Sequence, residues 1–190
     1  MINISNFNLI DQQVLGYIFS WHTPVLNSFF SVTTEVGSTA LVSIITLFFI
    51  MWLYSKKRYR DMYLSVLVVV GSTLTTYYLK MFFVRPRPEW APYHVDTFSF
   101  PSGHATGAFA LYAVIAFVAL KHVNNKIHRN GILIIAFSLI GLVGFSRVYL
   151  GFHYLTDVLA GYAVACVWLV FTTFLLGDKG HTKTTSLDKK

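Results

Sequence analysis

Ser146-Arg-Val-Tyr-Leu-Gly-Phe-His-Tyr-Leu-Thr-Asp157 sets two ionisable side chains, His153 and Asp157, one helical turn apart between two apolar runs. If a helix opens at Tyr154, these side chains share a face at about 5–6 Å between Cβ atoms. A carboxylate at that distance can accept the Nδ1 proton of the imidazole and fix its tautomer. The Nε2 lone pair is then left for chemistry, which makes His153 a candidate base or nucleophile. Gly151 reads as a tight turn. A helix ending near Tyr149 and a second one beginning after His153 would return Arg147 to the level of His153. Taken alone, the stretch also reads as a capped helical hairpin carrying an ion pair.

Composition narrows the choice. Hydrophobic residues make up 55% of the chain and charged residues 12%, and the mean hydropathy is +0.57. A soluble domain of this size is not so apolar, so the chain is expected in a bilayer. Fifteen Lys and Arg stand against eight Asp and Glu. That balance would suit nucleic acid, but the basic residues occupy short loops between apolar runs and follow membrane topology instead, so no nucleic-acid partner is expected. The single cysteine, Cys166, lies within an apolar run and has no partner for an intrachain disulfide.

The predicted fold is all-α, an integral membrane helical bundle of about five transmembrane helices preceded by N-terminal amphipathic helices. Met1 to Asn8 lacks the basic n-region and cleavage site of a signal peptide and is expected to be retained. Residues 1–36 hold two short apolar stripes, and Thr23-Pro24 reads as an N-cap followed by a first-turn proline. Neither stripe reaches the roughly 20 residues of a span, so both helices are expected to lie in the interface. The membrane domain is expected over 37–176, with spans at Gly37–Tyr54, Met62–Leu79, Phe98–Leu120, Gly131–Arg147 and Tyr154–Leu176, and a polar basic tail over 177–190. Eleven of the fifteen basic residues fall on one side of this arrangement. Lys80, Arg85, Arg87 and Arg147 fall on the other. The positive-inside rule therefore puts the C-terminus in the cytoplasm and those four residues outside.

Two more stretches lie on the expected outer face. Lys80-Met-Phe-Phe-Val-Arg85-Pro-Arg87-Pro88 ends the second span, and its prolines force an extended continuation. Its cations complement the helix dipole and reach headgroups, or else they hold an anionic ligand. Arg85 is read as an extra cation for a second phosphate or for ordinary lipid phosphates. Phe98-Ser-Phe-Pro101-Ser102-Gly103-His104 opens the third span. There the serine hydroxyl and first-turn N–H groups make either a helix cap or a seat for phosphate, with His104 placed to protonate a leaving oxygen. Trp90 and Tyr93, in the intervening loop, are read as interfacial aromatic residues.

Together the three stretches follow K-x6-R-P, P-S-G-H and S-R-x5-H-x3-D in order. This pattern closely resembles the type 2 phosphatidic acid phosphatase family, membrane lipid phosphatases that share an active-site plan with vanadium-dependent haloperoxidases. The resemblance implies that His153 attacks phosphorus to form a phosphohistidine, that Asp157 orients it, and that His104 is the general acid. It also implies that Lys80, Arg87, Ser102, Gly103 and Arg147 hold the phosphoryl oxygens, and that the reaction uses neither metal nor cofactor. Three cations and a backbone seat suffice in principle to stabilise a developing phosphoryl charge. The expected substrate is a lipid phosphate or diphosphate met at the outer leaflet among membrane lipids. Undecaprenyl diphosphate is favoured, with phosphatidylglycerophosphate and phosphatidic acid as the other candidates. A lipid phosphotransferase and a non-catalytic lipid-phosphate binding or transport protein are the competing readings, and the second would not need His104 or the His153–Asp157 pair.

Overall fold

The computed structural model describes residues 4–93 and 95–176, so the expected basic tail over 177–190 lies outside the described residues. Seven helices run in chain order: α1 Ile4–Phe19, α2 Pro24–Glu35, α3 Thr39–Ser55, α4 Tyr59–Phe83, α5 Gly103–Leu120, α6 Lys126–Tyr149 and α7 Leu155–Leu175. The helix starts follow local chemistry. Thr23 accepts from the N–H of Leu26, with Pro24 at the first helical position, Ser38 accepts from Leu41, and Asn125 accepts from Ile127 and His128. The fifth helix begins at Gly103 and not at Phe98, because the Ser102 cap, itself extended, and Pro101 before it keep the preceding residues out of the helix. The second expected span is longer than its apolar run, and α4 continues to Phe83 before Val84 turns it off at φ 48°.

Among the described residues, helices α4, α5, α6 and α7 are each long and apolar enough to cross a membrane, and α2 with α3, bent by 41° at their junction, makes a fifth where the pair is taken as one span. The protein is a multi-pass membrane helical bundle. Its outward faces carry Leu74, Tyr78, Phe82, Ile134, Phe137 and Phe174, all exposed, as a hydrocarbon surrounding requires. In the centre stands α5, whose small residues Ala105, Gly107, Ala108 and Ala110 are buried and let its neighbours approach closely. Its partner α7 answers with Gly161, where an added Cβ would lie 2.7 Å from the Ser102 carbonyl oxygen and 2.9 Å from Thr106 Oγ1. Further along, Trp168 Nε1 donates to Thr75 Oγ1 at 2.9 Å and ties α7 to α4.

The two N-terminal helices pack onto the end of this bundle. Leu15 and Ile18 of α1 and Phe30 of α2 share a buried cluster with Ala105, Tyr149, Phe152, Tyr154 and Val158. Tyr149 Oη donates to Asn27 Oδ1 at 2.8 Å, and the His22 ring stacks on Tyr149 at 4.4 Å. These helices therefore cover the α6–α7 turn.

Candidate active site

Four helix ends meet at one end of the bundle: the C-termini of α4 and α6 and the N-termini of α5 and α7. The backbone fastens them together. Ser102 N–H donates to the Asp157 carbonyl at 2.9 Å, which joins the starts of α5 and α7, while the N–H groups of Phe152 and His153 donate to the Arg147 carbonyl at 3.1 and 3.2 Å. Gly151, at φ +71°, makes the expected turn. A side chain there would meet the Trp90 carbonyl at 2.8 Å, so glycine serves both the backbone angle and the approach of the α4–α5 loop.

His153 is buried in this turn with 2% exposure, and Asp157 has none. His153 Nδ1 lies 3.4 Å from Asp157 Oδ2. That is longer than the good hydrogen bond expected from the i, i+4 spacing, so the two groups are adjacent but His153 Nδ1 is not hydrogen-bonded to the carboxylate. Asp157 Oδ2 also accepts the Tyr154 N–H at 2.9 Å, so one carboxylate both caps α7 and faces the imidazole. On the other side of the ring, Arg87 Nη1 lies 3.1 Å from His153 Nε2. A guanidinium can only donate, which makes Nε2 the acceptor and puts the ring proton on Nδ1, toward Asp157. Burial, then the positive charges of Arg147, Arg87 and Lys80, hold His153 well below the usual histidine range, so the ring is neutral.

The expected phosphate-binding residues surround this histidine, each engaged with the chain itself. Arg87 also donates to the Phe152 carbonyl at 2.9 Å and to the Thr97 carbonyl and hydroxyl, each at 2.8 Å. Lys80 Nζ donates to the carbonyls of Phe98 and Ser99 at 2.5 and 3.3 Å. Arg147, 5% exposed, donates from Nη1 to Thr34 Oγ1 at 2.8 Å and lies over the Phe152 ring at 4.3 Å. Ser102 Oγ accepts from Ala105 N–H at 3.4 Å and so caps α5, which leaves its hydroxyl proton as a donor. Gly103 starts the helix with open space where a Cβ would stand. His104 follows, within electrostatic reach of Arg147, His153, Arg87 and Lys80. The loop between α4 and α5 borders an open cavity of about 640 Å³ lined by Arg85, Arg87, Glu89, Tyr93, Asp96 and Phe98. Among the described residues, no three His, Cys, Asp or Glu side chains are grouped to hold a metal ion.

One expectation changes. Arg85 is not a spare cation, because its Nη1 donates to Asp157 Oδ1 and its Nη2 to Asp11 Oδ2, each at 2.7 Å. Trp90 packs edge-on against Phe19 at 4.4 Å and Tyr93 against Phe152 at 4.8 Å, so each ring helps to join the α4–α5 loop to α1 and to the α6–α7 turn, while both remain exposed, as interfacial aromatic residues would be. Asp11, which the sequence did not single out, is tied to both Arg85 and Thr156.

The sequence profile of the PAP2 superfamily matches residues 61–180. The chain belongs to that superfamily. Among its relatives, phosphatidylglycerophosphatase B of Bacillus subtilis (strain 168) is 36% identical over 144 residues, covering 74% of this chain and 70% of that one. Undecaprenyl-diphosphatase BcrC of the same organism is 32% identical over 168 residues, covering 84% and 79%. A crystal structure of a transmembrane PAP2 type phosphatidylglycerolphosphate phosphatase from Bacillus subtilis superposes with a TM-score of 0.85 at 29% identity, covering 96% of this chain and 92% of that one. As a PAP2 enzyme, the protein is a lipid phosphate hydrolase, and its helical membrane fold is the one expected from the sequence.

Proposed function

We propose that this PAP2 enzyme hydrolyses a lipid phosphate at the outer leaflet of the cytoplasmic membrane through a phosphohistidine on His153. The observation that carries the reading is the contact between Arg87 Nη1 and His153 Nε2 at 3.1 Å, because a guanidinium donor there favours Nε2 as the unprotonated nitrogen, already facing a cation. A phosphoryl group arriving there takes over the Arg87 donors. The Nε2 lone pair attacks phosphorus, the bond from phosphorus to the lipid oxygen breaks, and His104 delivers a proton to that oxygen. Water then attacks the phosphohistidine, His104 takes its proton back, and the Nε2–P bond breaks to release inorganic phosphate. Lys80, Arg87, Arg147, the Ser102 hydroxyl and the Gly103 N–H stabilise the charge on the phosphoryl oxygens in both steps.

The preferred substrate is a phosphomonoester such as phosphatidylglycerophosphate. Arg85 is already paired with Asp11 and Asp157, so the cation next to Arg87 is committed within the chain and not set aside for a second phosphate. Undecaprenyl diphosphate is the second reading, favoured by the similarity to an undecaprenyl-diphosphatase over 84% of this chain. The test is phosphate release from purified phosphatidylglycerophosphate, phosphatidic acid and undecaprenyl diphosphate by wild type and His153→Ala, with and without EDTA. The expected result is EDTA-resistant release, fastest from phosphatidylglycerophosphate and absent in the variant. Release by His153→Ala, or loss with EDTA restored by Mg²⁺, contradicts the mechanism. A higher kcat/KM on undecaprenyl diphosphate reverses the substrate order.

The outward orientation rests on the basic residues at the other end of the bundle, Lys56, Lys57, Arg58, Arg60, Lys121, Lys126 and Arg129 among them. In intact cells, a cysteine introduced at Ala91 should react with an impermeant thiol reagent, and one at Asn124 should not. The reverse pattern would put the site in the cytoplasm.

A further inference from the structure

Asp11, Leu15 and Ile18 lie on one stripe of α1 and are 1%, 2% and 7% exposed. An ionised carboxylate so buried is tolerated only when it is paired and hydrogen-bonded. Asp11 Oδ1 accepts from the Thr156 N–H at 3.1 Å, and its Oδ2 accepts from the Thr156 hydroxyl and from Arg85 Nη2. Arg85 Nη1 donates in turn to Thr156 Oγ1 and Asp157 Oδ1, each at 2.7 Å. Because Oδ1 of Asp157 is held by Arg85, Oδ2 is the oxygen presented to His153. The result is a buried carboxylate–guanidinium–carboxylate row that begins on α1 and ends beside the imidazole.

The charge of this row matters for the step proposed above. When a neutral imidazole carrying its proton on Nδ1 bonds to phosphorus through Nε2, the ring becomes an imidazolium. Asp157 is the anion facing it. Arg85 alone would fix Asp157 in place but cancel its charge, whereas a second carboxylate on the far side of Arg85 restores a net −1 to the row. We propose that Asp11 is a positioning residue that acts through Arg85, holding Asp157 in register and keeping the negative charge beside His153 that the phosphohistidine needs. On this view α1 is part of the catalytic unit as well as an anchor. The proposal rests on the reading of His153 as the nucleophile.

The test uses the full chain in detergent. Asp11→Asn keeps the size and one acceptor oxygen, for the Thr156 N–H, and removes the charge together with the acceptor that faces Arg85 Nη2 and the Thr156 hydroxyl. The expected fall in kcat is about 10–100-fold, the scale set by one charge acting across about 6–12 Å at an effective dielectric constant of about 20. KM and the inhibition constant for vanadate should stay within about twofold, since Lys80, Arg87 and Arg147 are untouched. The groups facing His153 are Asp157 of α7, Arg147 of α6, Lys80 of α4, His104 of α5 and Arg87 of the α4–α5 loop. Weakening the negative side of that balance should move the acid limb of kcat/KM to lower pH. In an Arg85→Gln background, Asp11→Asn should add little further loss, because its effect is transmitted through Arg85. Wild-type kcat in Asp11→Asn, an additive loss in the double variant, or a loss shared equally by vanadate affinity and thermal stability would overturn the proposal. If Asp11→Asn does not accumulate, Asp11→Glu replaces it. An acid limb at the wild-type pH then supports the proposal, and a displaced one opposes it. His153→Ala, run alongside, separates the two levels. Turnover by that variant removes the nucleophile assignment, while its inactivity beside a fully active Asp11→Asn removes only the role of Asp11.

Discussion

Arg87 Nη1 and His153 Nε2 stand 3.1 Å apart, so the atom proposed to attack phosphorus is occupied by a donor that also belongs to the proposed phosphate seat. The positive charge of Arg87 helps to hold His153 below the ordinary histidine value of about 6.5. Lowering the pH converts the nucleophile to its inactive protonated form only beneath that shifted value. The acid limb of kcat/KM should therefore lie below pH 6.5. Arg87→Gln removes one depressing charge and should move that limb toward higher pH, while lowering kcat/KM by about 10²–10³-fold through the loss of a phosphoryl donor. A pH–rate profile of both proteins checks the shift, and a limb that moves to lower pH in Arg87→Gln contradicts it.

The same burial has a consequence for stability. The unfolded chain takes up a proton at His153 near pH 6.5 and the folded chain does not, so the stability linked to this ring is fully present above that pH and is lost as the pH falls below it. Thermal unfolding in detergent, followed from pH 7.5 to 5, should show a steeper decline for wild type than for His153→Ala. Parallel curves would mean that the ring titrates alike in both states.

His104 is assigned to the leaving group, and general acid catalysis is worth about 10²–10⁴-fold only where the departing oxygen is strongly basic. His104→Ala should lose most of its activity on a lipid monoester and keep a much larger fraction on a nitrophenyl phosphate ester, whose phenolate leaves without a proton. Measuring kcat/KM across leaving groups of graded basicity decides the matter. An equal fractional loss on all of them would make His104 a phosphate-binding residue.

Gly161→Ala probes the α5–α7 junction that holds Ser102 and Asp157 together. The new Cβ would stand 2.7 Å from a backbone oxygen, a contact that no rotamer change relieves. A destabilisation of about 1–3 kcal/mol is expected, together with lower activity, because the Ser102 N–H to Asp157 carbonyl bond crosses the same junction. Gly141→Ala, whose Cβ would meet nothing within 4 Å, is the control and should unfold like wild type.

The helices and the three motifs could be read from the sequence because the signals are local. Apolar runs of span length, Thr23-Pro24 before α2 and Gly151 between Arg147 and His153 each act within a few residues. The Arg85 pairing was not local. Its partners Asp11 and Asp157 stand 74 and 72 residues away, and a cation beside Arg87 reads equally well as a phosphate ligand. One signal pointed to Asp11. It occupies the same helical stripe as Leu15 and Ile18, and an acid on an apolar stripe requires a cation from another segment. The 3.4 Å separation of His153 and Asp157 is likewise set by tertiary demands, since the same carboxylate also caps Tyr154 and binds Arg85.

The covalent intermediate is the central claim, and rapid-quench trapping tests it most directly. Enzyme is mixed with a lipid phosphate carrying ³²P, quenched in alkali within the first turnover, digested and sequenced by mass spectrometry. The account predicts label that is stable to base, labile to acid, located on His153 and absent from His153→Ala. Steady release of phosphate with no protein-bound label at any quench time, or label on a residue other than His153, would contradict it.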